Sequence, residues 1–67
     1  MVLRVKELRT AANLTQAQLA VEMGVNQNTV SNWELEVTLP KARELPRLAK
    51  VLGCTISELY APDEDSA

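Results

Sequence analysis

The sequence predicts an all-α fold, a compact domain of five short helices around one core. Apolar residues recur at spacings of three and four along most of the chain, and no alternating strand pattern is long enough to compete. Glycines and helix-capping residues separate these segments at short intervals. With 67 residues the chain makes at most one domain. We expect that domain over residues 3–61, followed by an acidic, disordered tail at residues 62–67.

The first helix is predicted over residues 2–12. Its apolar positions Val5, Leu8 and Ala12 follow the spacing i, i+3, i+7, which places them on one face. The basic residues of this segment, including Arg9, are expected on the other sides of the helix.

The second helix, residues 16–23, has a signal at each end. Thr15 is a natural N-cap, and Gln18 three residues later completes a capping-box pattern. Gly24 ends the helix, because glycine adopts the left-handed conformation of this position without a steric penalty.

The third helix is predicted over residues 27–34, with Asn26 as its N-cap. Only a short turn containing glycine separates it from the second helix, and such a turn sets two helices at a steep angle, as in a helix-turn-helix. We place this motif at about residues 15–34. The inner side of its second helix carries Val30 and Trp33.

A loop containing Pro40 leads to the fourth helix, which we start near Leu45. Pro46 then lies in its first turn, where the missing N–H is not needed, and Gly53 ends the helix. Residues 55–58, TISE, are a second capping box that begins a fifth helical segment. The core is predicted from the inward positions: Leu8, Leu14, Leu19, Ala20, Met23, Val30, Trp33, Leu45, Leu48, Ala49, Leu52 and Leu59.

Composition excludes several classes of function. The chain has no His and one Cys, so no zinc cluster or disulfide framework is expected, and no metal or cofactor. Without His or a glycine-rich phosphate loop, and with Cys54 predicted to be buried, an enzyme is not expected. No apolar run reaches 18 residues and the N-terminus is charged, so we expect no membrane span, no signal peptide and a cytoplasmic protein.

The net charge of −2 at first argues against a nucleic-acid partner. Three of the nine acidic residues lie in the last five positions, which leaves residues 1–62 with seven basic and six acidic groups. The body of the chain is therefore close to neutral, and the tail carries the acidity.

The outer face of the third helix carries Gln27, Asn28, Ser31 and Asn32, which project together. A carboxamide offers a donor and an acceptor side by side, which matches the N6/N7 edge of adenine in the major groove. An ordinary solvated helix face is the alternative, but such faces normally use Glu, Lys and Arg. None of these lies between Gln27 and Asn32, so the face predicts base reading.

The run TQAQLAVEMGVNQNTVSNWE resembles the helix-turn-helix of phage repressor and Cro proteins, the xenobiotic-response-element type of bacterial regulators. The resemblance extends from RVKELRTAANL before this run to LPRLAKVLGCTISELY after it, which is nearly the whole chain. It implies a phage-repressor-like fold and sequence-specific binding of double-stranded DNA by a transcriptional regulator, either a repressor or a Cro-like controller protein.

The resemblance also implies roles for individual residues. Gln27, Asn28 and Asn32 would face base edges, and Glu34 would be structural. Contacts to phosphates and the DNA backbone would come from Gln16, Asn26, Thr29, Ser31, Arg9, Lys41 and Arg43. For Thr29 and Ser31 a thymine methyl is the alternative target. Gln16 would in addition brace the reading helix, and Arg43 has the minor groove as an alternative target.

The chain departs from the family after the residues WE, where a glycine and then basic residues are usual. Leu35, Glu36 and Val37 stand there instead. Glu36 and the acidic balance favour an alternative function on the same fold, an antitoxin-like or adaptor module that binds a protein partner. The uncharged amide face opposes it.

One reading helix covers too few base pairs to single out a site among roughly 10⁶ competitors. We therefore expect a weak homodimer, completed on an operator with two-fold symmetry. The predicted dimer interface consists of Leu52, Cys54, Ile56 and Tyr60. The alternative is that this patch simply caps the core.

Overall fold

The structure is a computed structural model, and it describes residues 3–60. Within this range the chain forms four α-helices and two single turns of 3-10 helix. The α-helices are α1 (Val5–Ala11), α2 (Gln16–Met23), α3 (Gln27–Glu34) and α4 (Leu45–Leu52), and the 3-10 turns are Ala42–Glu44 and Ser57–Leu59. The predicted all-α class is confirmed. The expected acidic tail lies outside the described residues.

The expected fifth helix is only a 3-10 turn, and α1 is shorter than predicted, for one shared reason. After the turn the backbone becomes extended at Tyr60, which forms an isolated antiparallel bridge with Leu3. Arg4 N also donates to Leu59 O at 2.7 Å. These contacts draw both ends of the described chain together, so residues 3 and 4 cannot continue the helix that begins at Val5.

The capping signals form the hydrogen bonds that the sequence predicts. Thr15 Oγ1 accepts from the backbone N–H of Gln18 at 3.0 Å, and Gln18 Oε1 accepts from the N–H of Thr15 at 2.8 Å. Thr55 and Glu58 form the same reciprocal pair. Gly24 closes α2 in the left-handed conformation, with φ 71°. Local chemistry therefore sets the bounds of α2 as predicted.

The core lies where the inner faces of the helices meet. Its buried side chains are Val5, Leu19, Ala20, Met23, Val30, Trp33, Leu48, Ala49, Leu52 and Leu59. Leu8, Leu14 and Leu45, which we also expected there, are only partly buried and pack against this cluster from outside. No helix in the described range is long and apolar enough to cross a membrane.

Candidate nucleic-acid interface

The turn between α2 and α3 is held at both of its ends. Val25 N donates to Ala20 O at 3.0 Å, which closes α2. Asn26 Oδ1 accepts from the N–H of Thr29 at 3.0 Å and from its hydroxyl at 2.9 Å, which caps α3 as predicted. Val30 is fully buried behind this turn. The start of α3 is therefore fixed relative to α2.

The outward side of α3 keeps its uncharged, amide-rich character in the fold. Gln27 and Asn28 are exposed, whereas Thr29, Ser31 and Asn32 are half-buried. The exposed amides thus lie at the amino-terminal end of α3, and the remaining polar side chains lie closer to the body of the domain.

Four polar side chains connect α1, the start of α2 and both ends of α3. Arg9 donates through Nε and Nη2 to the carboxylate of Glu34. Gln16 Nε2 donates to Glu34 Oε1 at 2.9 Å, and Gln27 Nε2 donates to Gln16 Oε1 at 3.4 Å. We call Arg9, Glu34, Gln16 and Gln27 the polar relay. The predicted bracing of the reading helix by Gln16 is present in this geometry.

Arg9 lies on the inner side of α1, not on the outer sides that the sequence predicts. Besides Glu34, its guanidinium donates to Leu14 O at 2.7 Å, and its side chain is only 14% exposed. Each of its three nitrogens thus donates inside the domain, and little of the side chain is accessible to a phosphate. The available signal was spacing: Arg9 follows Val5 by four residues, so both lie on the inner side of α1.

The carboxylate of Glu34 is 5% exposed yet stays ionised. Burial raises its pKa, but hydrogen bonds from Arg9 and Gln16, together with the positive charge of Arg9, outweigh burial and lower the pKa overall. An ionised carboxylate is only an acceptor, and this carboxylate receives its donors from two different helices.

The other two basic candidates, Lys41 and Arg43, are exposed around the 3-10 turn that precedes α4. The ion pairs formed within residues 3–60 join Arg4 to Glu7 and Arg9 to Glu34, so both cations remain available to an anionic partner. Glu36, the departure from the family pattern, is exposed in the preceding loop with φ 61°.

The surface predicted for dimerisation is smaller than expected. Leu52 is 7% exposed because the one-sided apolar face of α4 turns it into the core. Cys54 and Tyr60 are half-buried, and Ile56 alone of the four is exposed. Burial, and to a lesser extent the charge of Glu58, raises the pKa of the Cys54 thiol.

The larger exposed aliphatic side chains lie elsewhere. Leu35, Val37 and Leu39 follow α3 in sequence and are between 63% and 70% exposed. Val21 on α2 is exposed as well. The sequence predicts a loop here, and a loop has no periodicity from which its exposed apolar side chains could be predicted.

The fold and this site define a helix-turn-helix domain with a polar reading face. A model of the helix-turn-helix family matches residues 5–59. The chain belongs to this family, and the resemblance to the Cro and phage-repressor type is confirmed. The structure is similar to a crystal structure of the P22 c2 repressor protein in complex with a synthetic operator. The TM-score is 0.80 at 32% identity, and the match covers 90% of this chain and 91% of that one.

Two relatives extend the comparison. The HTH-type transcriptional activator BcrR of Enterococcus faecalis is 36% identical over 61 residues, covering 91% of this chain and 30% of BcrR. The cryptic phage CTXphi transcriptional repressor RstR of Vibrio cholerae is 33% identical over 61 residues, covering 91% of this chain and 55% of RstR. The chain therefore spans about a third to half the length of these relatives.

Proposed function

We propose that this chain binds double-stranded DNA sequence-specifically, as a transcriptional regulator of the repressor or Cro-like type. The observation that carries this proposal is the exposed amide pair at the start of α3, Gln27 and Asn28, on a helix whose opposite side is anchored by buried Val30 and Trp33. A helix that is fixed to the core on one side and presents exposed amide donors and acceptors on the other suits the major groove.

Base edges are assigned to Gln27, Asn28 and Asn32. The DNA backbone is assigned to Gln16, Asn26, Thr29, Ser31, Lys41 and Arg43. Arg9 is not among them, because its side chain is 14% exposed and each of its nitrogens already donates to Glu34 or Leu14. No catalytic role is proposed for any residue. A DNA-binding regulator of a bacterium or phage acts in the cytoplasm, where its operator lies.

The operator is proposed to have two-fold symmetry, with a weak homodimer completed on it. Two α3 helices must then enter successive major grooves about 34 Å apart. Ile56 is the exposed centre of the proposed contact, and half-buried Cys54 and Tyr60 flank it, while Leu52 supports it from the core.

Selection of bound duplexes from a random pool, followed by footprinting, tests this function. We expect a symmetric site with half-sites about 10 base pairs apart. Saturation at one protein per duplex, on a site without symmetry, would exclude the paired arrangement. Failure to enrich any sequence would exclude specific binding altogether.

Alanine variants separate the two kinds of contact. Gln27→Ala or Asn28→Ala should weaken binding to the selected site by about 1–3 kcal/mol and leave random duplexes nearly unchanged. Lys41→Ala or Arg43→Ala should weaken binding to every duplex and reduce the salt slope by about 1. Lys50→Ala removes the same charge beside Glu22 on another surface and is the matched control.

A protein-binding adaptor is the second candidate, and a specific observation favours it. Leu35, Val37 and Leu39 are exposed on one loop together with acidic Glu36. Heparin or random-duplex retention at low salt separates the two candidates, since a chain of this charge that binds only proteins should not be retained.

A further inference from the structure

The hydrogen bonds of the polar relay all run from donor to acceptor in one order, and the charge state of Glu34 sets that order. Its ionised carboxylate can only accept hydrogen bonds, so the amide of Gln16 must turn its NH₂ group toward Glu34. Arg9 already holds this carboxylate in place from α1. The side chain of Glu34 is only 5% exposed, so water has little access to replace Gln16 as its hydrogen-bond donor.

The orientation of Gln16 in turn constrains Gln27. When the NH₂ group of Gln16 faces Glu34, the carbonyl oxygen of Gln16 faces the start of α3 as a hydrogen-bond acceptor. Gln27 must therefore present an N–H, and the contact from Gln27 Nε2 to Gln16 Oε1 is 3.4 Å. The carbonyl oxygen of Gln27 is left free, together with its second N–H.

A free carbonyl oxygen and a free N–H on the same amide can distinguish adenine from guanine. The major-groove edge of adenine offers one acceptor, N7, and one donor, N6–H, which complement one N–H and one carbonyl. Guanine offers two acceptors, N7 and O6, and would require two donors from the same side chain. A reversed Gln27 amide would point both N–H groups outward and favour guanine.

We propose that Glu34 is a specificity-determining positioning residue, which acts through Gln16 to orient the Gln27 amide for adenine rather than guanine. The inference rests on the proposed function, in which Gln27 reads a base edge. In this arrangement Glu34, whose side chain is 5% exposed, needs no contact with DNA of its own. A purely structural ion pair between Arg9 and Glu34 would affect stability but would leave the ranking of bases unchanged.

Glu34→Gln tests the direction of the relay. The new carboxamide should keep its oxygen beside the Arg9 Nε–H, so that its NH₂ group faces Gln16. The Gln16 amide would then reverse to accept this N–H, and the Gln27 amide would reverse in turn. Gln16→Ala breaks the relay while leaving both partners of the Arg9–Glu34 ion pair in place. Glu36→Gln removes the same charge from the exposed loop and is the matched control.

The experiment is selection from a random duplex pool with the wild-type chain, followed by titration of four duplexes that differ at one base pair. Gln27→Ala identifies that position as the one whose preference it abolishes. We expect the wild type to favour adenine over guanine there by roughly 5- to 150-fold, the range of a good bidentate pair. Gln16→Ala should bring this ratio close to unity, Glu34→Gln should shift it toward guanine, and Glu36→Gln should keep it.

The outcomes separate this inference from the proposed function. If no sequence is enriched, or Gln27→Ala changes no position, the proposed function or the role of Gln27 fails, and the inference fails with it. If the wild type reads a base other than adenine at that position, only the inference is overturned. The inference is also overturned if Gln16→Ala keeps the wild-type ratio of adenine to guanine binding. If circular dichroism shows that Glu34→Gln does not fold, Gln16→Ala alone decides the outcome.

Discussion

The two connections that flank α3 make their left-handed turns with different residues. Before α3 the left-handed residue is Gly24, with φ 71°, and after α3 it is Glu36, with φ 61°. A residue with a side chain is destabilised in this conformation by roughly 1–2 kcal/mol, whereas glycine is not. Local residue types therefore specify the first turn, and contacts from elsewhere in the fold must hold the second.

The contacts that hold the second turn lie at the end of α3. Trp33 is 2% exposed, and Glu34 is paired with Arg9 from α1. The loop itself contributes a hydrogen bond from Val37 N to Asn32 O at 2.9 Å. A local capping residue, Asn26, thus marks the start of α3, whereas long-range burial and charge pairing hold its other end.

Trp33→Ala should give the largest loss of stability, because it removes the buried side chain that packs the end of α3 against the core. Removing this buried side chain should lower the unfolding free energy by about 3–5 kcal/mol, enough to unfold much of a domain this small. Urea denaturation followed by circular dichroism measures the change. Leu35→Ala, two residues on and 70% exposed, is the control and should change stability by less than about 0.5 kcal/mol. A loss below about 1 kcal/mol for Trp33→Ala would contradict the burial of this residue.

Arg9→Met tests the charge pairing at the same end of α3. It leaves the carboxylate of Glu34 without its cation and should cost about 2–4 kcal/mol of unfolding free energy. The double variant Arg9→Met/Glu34→Leu removes both charges and should recover most of that loss, because the desolvation of an unpaired charge disappears. A double variant as unstable as the single one would show that packing, not charge, accounts for the effect.

Acid should weaken the same end of α3. The pKa of Glu34 is raised by burial but lowered more by Arg9 and Gln16, so it lies below its ordinary value of 4.5. The unfolded chain then binds the proton at higher pH than the folded chain does. The stabilisation is therefore present above pH 4.5 and is lost as the pH falls through the folded pKa.

Urea midpoints measured across the acid range should thus fall less steeply for Glu34→Gln than for the wild type. Glu7 and Glu58, whose pKa values are also lowered by their hydrogen bonds, are retained in both proteins and supply the common slope. Parallel pH profiles would mean that Glu34 contributes nothing to acid sensitivity.

A pair of opposite substitutions tests the turns themselves and should give the smallest effects. Gly24→Ala places a side chain at φ 71° with open space around its Cβ, so backbone strain alone should destabilise the domain, by about 1 kcal/mol. Glu36→Gly relieves strain but adds unfolded-state entropy, for a net gain of about 0.5 kcal/mol. Equal signs for the two variants in urea denaturation would remove the distinction between the turns.

The all-α class and the bounds of α2 and α3 could be predicted from the sequence alone. Thr15, Gly24 and Asn26 could be assigned because each acts through hydrogen bonds or backbone angles within a few residues of itself. The amide-rich face of α3 was also readable, since helical spacing alone brings Gln27 and Asn28 together at the start of the helix.

The side-chain contacts at the ends of these helices depend on tertiary packing and could not be predicted from local sequence patterns. That packing turned Arg9 inward, buried Leu52 in the core and joined Glu34 to Gln16 and onward to Gln27. The partners in this relay are separated by 25, 18 and 11 positions along the chain. Their pairing follows from how α1, α2 and α3 pack, because no local periodicity relates residues that far apart.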